Sequence, residues 1–186
     1  EASNSCIGGC IWDWVDQAIY DPQEIKKGIY RLHTGYDYPG PHQGNFCSNG
    51  IIPATRQEGS KLMEVKAVYQ YVKFALTNVD PQKNTVGVRV YNRYAFQTLE
   101  DFDLVYDVVK NGHIVSTKKM PLGAVAAGDS ITLELKLSKA GLKKAKQKGE
   151  ETLLNLYVQY RDAQRFCEAG HRIAHKQFCL TERGQL

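Results

Sequence analysis

The segment GGCIWDWVDQ, Gly8 to Gln17, holds the only two tryptophans in a chain of 186 residues. Trp12 and Trp14 flank Asp13, and Asp16 follows. Tryptophan offers a broad flat apolar face that stacks on the apolar face of a sugar ring, and carboxylates beside it accept hydrogen bonds from sugar hydroxyls. Gly8 and Gly9 allow a ligand or another backbone to come close. The same residues also read as an ordinary strand. Ile11, Asp13 and Val15 then face one way and Trp12, Trp14 and Asp16 the other, with both tryptophans as core side chains. In the strand reading the two aspartates do not converge on one point. On a strand Asp13 and Asp16 point to opposite faces, with β-carbons roughly 10 Å apart.

Bulk properties narrow the classes that such a segment can serve. Hydrophobic residues make up 42% and charged residues 24%, ordinary values for a globular protein. A net charge of +4 is too mild to argue for a nucleic-acid partner. No apolar run approaches the roughly 18 residues that a membrane-spanning helix needs. No signal peptide is evident and the first residue is Glu1, so the chain reads as a piece of a longer polypeptide whose targeting segment lies elsewhere. The five cysteines, Cys6, Cys10, Cys47, Cys167 and Cys179, are odd in number and lack short paired spacing. That pattern argues against a disulfide framework. Cys6 and Cys10 have no second Cys/His pair nearby to complete a zinc site, so they read as small apolar filler.

The elements that must position the tryptophan segment fall into two regions. Residues 1–65 are rich in Gly, Pro, Asn and aromatics and show little periodicity. HTGYDYPGPHQGNFCSNG, His33 to Gly50, carries too many glycines and prolines for a helix or a central strand. From about Val68 the pattern changes to period two, and residues 66–186 read as a second domain. Val72, Phe74 and Leu76 share a face. Val86, Val88 and Val90 alternate with Gly87, Arg89 and Tyr91, and Phe102, Leu104, Tyr106 and Val108 with Asp103, Val105 and Asp107. Further runs are Ile131, Leu133, Leu135 and Leu137, then Leu154, Leu156, Val158 and Tyr160, then roughly Gly170 to Leu180. Each run predicts a strand with one face on a core and one in water. Asn111-Gly112 predicts a type I′ hairpin turn, because both residues tolerate positive φ. About seven short strands predict an immunoglobulin-like antiparallel β-sandwich. SKAGLKKAKQKGEE, Ser138 to Glu151, lacks interleaved aromatics and reads as a solvated loop or short surface helix, not a nucleic-acid patch.

GGCIWDWVDQ, followed by NFCSNGII and then LMEVKAVYQYV, resembles the bacterial β-galactosidases of glycoside hydrolase family 2 over the whole chain. The resemblance implies that the tryptophan segment is the eighth strand of a (β/α)8 barrel. The fold expected is therefore mainly β: the last strand and loops of a barrel at 1–65, then a sandwich linker domain at 66–186. Trp12 matches the aromatic platform of the galactose pocket, and its peptide bond to Asp13 is cis in the family. Phe46 and Asn49 match residues that hold a sodium ion near the sugar 6-hydroxyl, through a backbone carbonyl and a side-chain amide. Asn49 thereby also belongs to the substrate site, and a third ligand, an aspartate, comes from earlier in the barrel. Oxygen donors of this kind suit a hard cation.

Both catalytic glutamates of the family precede the tryptophan strand, so the chain itself is expected to hold no catalytic residue and to lack glycosidase activity. The resemblance also implies sodium and magnesium in the parent enzyme, neither bound tightly by this piece. It implies a β-galactoside substrate, contacts with the parent's other domains, a homo-oligomer, and a bacterial cytoplasmic or periplasmic setting. Residues 1–50, without the rest of a barrel, are expected to lack a settled fold or to pack unlike the parent. Tyr36 stands where the family has glycine, the loop from Asp37 to Phe46 is one residue short, and His42 and Gln43 receive no role. The lysine-rich run marks a lineage-specific insertion. A stand-alone carbohydrate-binding or adhesion module of immunoglobulin type is the alternative, distinguished by sugar binding through Trp12 and Trp14 in the isolated chain.

Overall fold

A computed structural model of the chain describes residue 5, residues 8–137, residue 142 and residues 151–181. Cys6 and the lysine-rich run, apart from Leu142 and Glu151, lie outside the described residues. The chain divides into two compact units, Glu1–Val68 and Tyr69–Leu186.

The second unit contains β3 (Val72–Asp80), β4 (Thr85–Asn92), β5 (Phe102–Lys110), β6 (His113–Pro121), β7 (Ser130–Lys136), β8 (Thr152–Tyr160) and β9 (Arg172–Thr181). They form two antiparallel sheets, one ordered β3-β4-β7 and the other β6-β5-β8-β9. The chain crosses between sheets after β4, β6 and β7, the interleaved connection of immunoglobulin-like sandwiches. Val72, Val86, Val88, Val90 and Leu135 from the first sheet meet Phe102, Leu104, Tyr106, Val108, Leu154, Leu156 and Val158 from the second. These are the inward positions that the two-residue period predicts. Asn111 and Gly112 adopt φ of 47° and 84°, and Lys110 pairs with His113, so the predicted two-residue turn closes the β5–β6 hairpin.

Buried polar groups pin the connections. The Asn92 amide, fully buried, donates to the carbonyls of Gln97, Val125 and Ala126 at 2.8, 3.0 and 3.1 Å, and its oxygen accepts from the Tyr94 N–H at 3.0 Å. One side chain thus holds two loops that have no ladder of their own. Tyr71, Tyr94, Phe102 and Tyr160 form a run of ring contacts, with centroids 4.8, 6.1 and 4.7 Å apart. Burial, with Tyr160 and Tyr71 nearby, pushes the Tyr94 hydroxyl up to about 12. The Gln70 side chain pairs with both backbone polar groups of His175, at 2.9 and 3.1 Å, and so occupies part of the open edge of β9.

One expectation for this unit fails. β5 has no wet face: Asp103, Val105 and Asp107 are buried along with their inward neighbours. The strand lies inside its sheet between β6 and β8, and long side chains from both sides fold over it. Lys119 and Arg161 each reach an Asp103 carboxylate oxygen at 3.2 Å, and the Thr117 hydroxyl donates to Asp107 at 2.6 Å.

The first unit is built differently. It holds two-residue strands β1 (Ile19–Tyr20) and β2 (Leu32–His33), helix α1 (Pro22–Lys26), a single 3₁₀ turn at Gly35–Asp37, and helix α2 (Ser60–Tyr69), which runs to the unit's end. α1 starts on an Asp21 cap that accepts from the Gln23 N–H, with Pro22 in the first turn where its missing N–H costs nothing. Sequence periodicity does not reveal α2, because its apolar residues do not gather on one face and none is buried. The tryptophan segment is not the regular strand expected. Among the described residues of the segment Val15 alone makes a bridge, in parallel with Ile52.

Candidate functional site

The two quoted motifs meet. The Asp16 N–H donates to the Ile52 carbonyl, the Ile52 N–H to Trp14, and the Ile51 N–H to Asp13, each at 2.9 Å. Gln17 and Ala18 donate to the Cys47 carbonyl at 2.8 and 3.0 Å. The Trp12–Asp13 peptide is cis. Both tryptophans are exposed in this chain, Trp12 at 76% and Trp14 at 49%, so they are not the core side chains of the plain-strand reading. Asp13 accepts from the Gln17 amide at 2.7 Å, which orients its carboxylate along the segment.

Gly50 is the closest point of this junction. A β-carbon there would lie 2.3 Å from the Asp16 nitrogen, 2.6 Å from the Ile52 oxygen and 2.7 Å from the Val15 carbonyl carbon, all backbone atoms that cannot move aside. Glycine is therefore required after Asn49. Its N–H donates to Asp16 Oδ1 at 2.7 Å and its carbonyl accepts from Lys61 Nζ at 2.6 Å. Sequence reasoning missed Asp16 and Lys61 as supports. The signal available was the glycine, whose need for space implies a close neighbour without naming it.

Phe46 is exposed and Asn49 half-buried. The Phe46 N–H donates to Gln43 at 3.1 Å. Among the described residues neither the Phe46 carbonyl nor the Asn49 side chain takes part in a hydrogen bond. Two neutral oxygens left free fit a hard monovalent cation completed by ligands from outside these residues. Among the described residues no group of three His, Cys, Asp or Glu side chains is placed to hold a metal.

The loop between the motifs carries a charged cluster. Asp37 pairs with Arg31 and accepts from the Thr34 N–H at 2.8 Å, and His33 lies 2.7 Å from Glu24 and 3.9 Å from Asp37. The Thr34 N–H, helped by Arg31 and His33, holds the Asp37 carboxyl below its ordinary value. Tyr36 packs edge-on to His42 at 5.0 Å and covers Gly44, where a β-carbon would meet its ring at 2.6 Å. His42 Nδ1 accepts from the Gly44 N–H at 2.9 Å. These contacts shape the loop. A cavity of about 510 Å³ near Tyr20, Ile25, Tyr30 and Arg56 contains neither Trp12, Phe46 nor Asn49, and its lining has no carboxylate or imidazole for proton transfer.

The second unit is a seven-stranded antiparallel sandwich, and in the first the tryptophan segment pairs in parallel with the stretch around Ile52. Residues 2–74 match the family described as glycosyl hydrolases family 2, TIM barrel domain, and residues 88–181 match β-galactosidase, domain 4. The chain is 36% identical over 181 residues to a β-galactosidase of Priestia megaterium, covering 96% of this chain and 16% of that protein. It is 32% identical over 177 residues to one of Vibrio cholerae, covering 95% and 16%. It is 30% identical over 182 residues to one of Pseudoalteromonas haloplanktis, covering 96% and 17%. The chain belongs to the β-galactosidase family of glycosyl hydrolases family 2 and spans about a sixth of the length of these relatives. No helix among the described residues is long and apolar enough to cross a membrane.

Proposed function

We propose that this chain is part of a retaining β-galactosidase, in which it supplies one wall of the sugar pocket and a structural sandwich. The hydrogen bonds between the tryptophan segment and the Cys47–Ile52 stretch support the reading, because they hold the two motifs against each other. Trp12 stacks on the galactosyl ring. The Phe46 carbonyl and Asn49 amide oxygen would hold a sodium ion, which would supply a fixed positive charge for binding sugar hydroxyls. Proton transfer and nucleophilic attack belong to carboxylates outside this chain, since Asp13 and Asp16 are both committed to hydrogen bonds within the junction. Residues 1–65 serve as barrel end and residues 66–186 as a linker. The sandwich holds its neighbours in place.

A chromogenic β-galactoside tests this. The full-length protein containing this chain is expected to turn it over, and Trp12→Ala to lower kcat/KM by about a hundredfold through loss of the aromatic platform. The isolated chain is expected to stay at the level of a blank. Turnover by the isolated chain, or a full-length protein indifferent to Trp12→Ala, would overturn the reading.

A further inference from the structure

We propose that Asp16 is a positioning residue that acts through Asn49, with Lys61 as its counterpart. The inference rests on the reading of Asn49 given above and goes beyond it, since neither side chain touches sugar or cation in that reading. Gly50 has both of its backbone polar groups held by side chains, the N–H by Asp16 at 2.7 Å and the carbonyl by Lys61 at 2.6 Å. The glycine is pressed against the backbone of Val15 and Asp16 with no room for a β-carbon. Its N–H and the Asn49 carbonyl share one peptide plane. Fixing that N–H therefore fixes the orientation of the Asn49 backbone, from which the side chain springs. Asn49 lacks a hydrogen bond of its own among the described residues, so the Gly50 clamp is what orients it. The clamp also ties Asn49 to the tryptophan segment, because Asp16 belongs to that segment and donates its own N–H to Ile52 at 2.9 Å.

A double-mutant cycle in the full-length protein separates positioning from general support. The variants are Asp16→Ala, Asp16→Asn, Asn49→Ala and the Asp16→Ala/Asn49→Ala pair, with KM and kcat measured on a nitrophenyl β-galactoside. Loss of a charge-assisted bond predicts that Asp16→Ala raises KM by about tenfold. Asp16→Asn, whose amide oxygen still accepts from Gly50, recovers most of that loss. In the Asn49→Ala background Asp16→Ala adds less than about twofold, because its target is already gone. The sodium-dependent rise in melting temperature, measured against potassium, shrinks in Asp16→Ala and not in Asp16→Asn.

Should Asp16→Ala fail to fold, Lys61→Met loosens the same peptide from its other side and is expected to show the same non-additivity with Asn49→Ala. Full additivity of either variant with a harmful Asn49→Ala overturns the positioning role and leaves the function of Asn49 standing. An Asn49→Ala protein with unchanged KM overturns both.

Discussion

The two units of the chain bury their apolar residues to very different degrees. In Tyr69–Leu186 a continuous cluster from Val72 to Ala174 is excluded from water. In Glu1–Val68, among the described residues, Ala18 is the one buried hydrophobic, and Trp12, Trp14, Ile19, Tyr30, Tyr36 and Phe46 are exposed. Composition does not explain the contrast, since the first unit has apolar residues in plenty. The difference lies in closure. A sandwich completes its own hydrophobic layer from two sheets, whereas a barrel strand buries its side chains only against the rest of the barrel. A large exposed apolar surface of this kind marks a face made for contact. The sandwich thus supplies its own stability, and the first unit leaves its apolar side chains open to contact.

The largest test of this contrast removes core volume. Phe102→Ala in the isolated chain is expected to cost about 3–5 kcal/mol of unfolding free energy, since Phe102 is fully buried and stacks with Tyr94 and Tyr160. Trp14→Ala, of equal or greater side-chain loss, is expected to change it by less than about 0.5 kcal/mol, because Trp14 has no core to leave. Urea denaturation of both variants makes the comparison, and equal costs would break it. A smaller effect is expected from Asn92→Ala, which removes the donor to the Gln97 carbonyl, while the Val125 and Ala126 carbonyls keep the N–H groups of Leu99 and Asp129. A loss of about 1–3 kcal/mol follows from the lost hydrogen bonds, and it should appear as faster exchange of the two loops that Asn92 pins.

The smallest effects are in pH dependence, and they have opposite signs in the two units. Tyr94 is raised to about 12, so the folded sandwich favours the neutral phenol. Its contribution is complete below the ordinary tyrosine value near 10 and is lost as pH rises through about 12. Tyr94→Phe should flatten the alkaline limb of the sandwich's stability profile. Asp37 is lowered, mainly by the Thr34 N–H, so its contribution is present above the ordinary carboxylate value and lost as pH falls through the lowered one. A carboxyl NMR titration of Asp37 should show the lowered midpoint in the wild type and a shift upward in Arg31→Ala.

The contrast also explains what was legible from sequence alone. Strand positions in the sandwich follow from the two-residue alternation, because a self-contained two-layer fold puts its core pattern into its own residues. The closed turn at Asn111-Gly112 follows from local conformational preference. The buried outer face of β5 was not legible, since Asp103 and Asp107 look solvent-facing until Lys119, Arg161 and Thr117 are brought across from other strands. Helix α2 escaped notice because an unpartnered helix shows no apolar stripe. In the first unit Trp12, Phe46 and Asn49 stood out by motif resemblance. Periodicity carried little there, because the tryptophan segment makes one isolated bridge and buries neither tryptophan. The supports Asp16 and Lys61 became visible only once Gly50 was seen pressed against the tryptophan segment.

Hydrogen exchange on the dilute isolated chain, read residue by residue, tests the difference between the units most directly. The account predicts slow exchange at Val88, Leu104, Leu156 and Val158 in the sandwich. It predicts exchange near the unprotected rate at the amides of Ile11–Val15, Ile51 and Ile52. Strong protection of those junction amides, comparable with that of the sandwich strands, would contradict it.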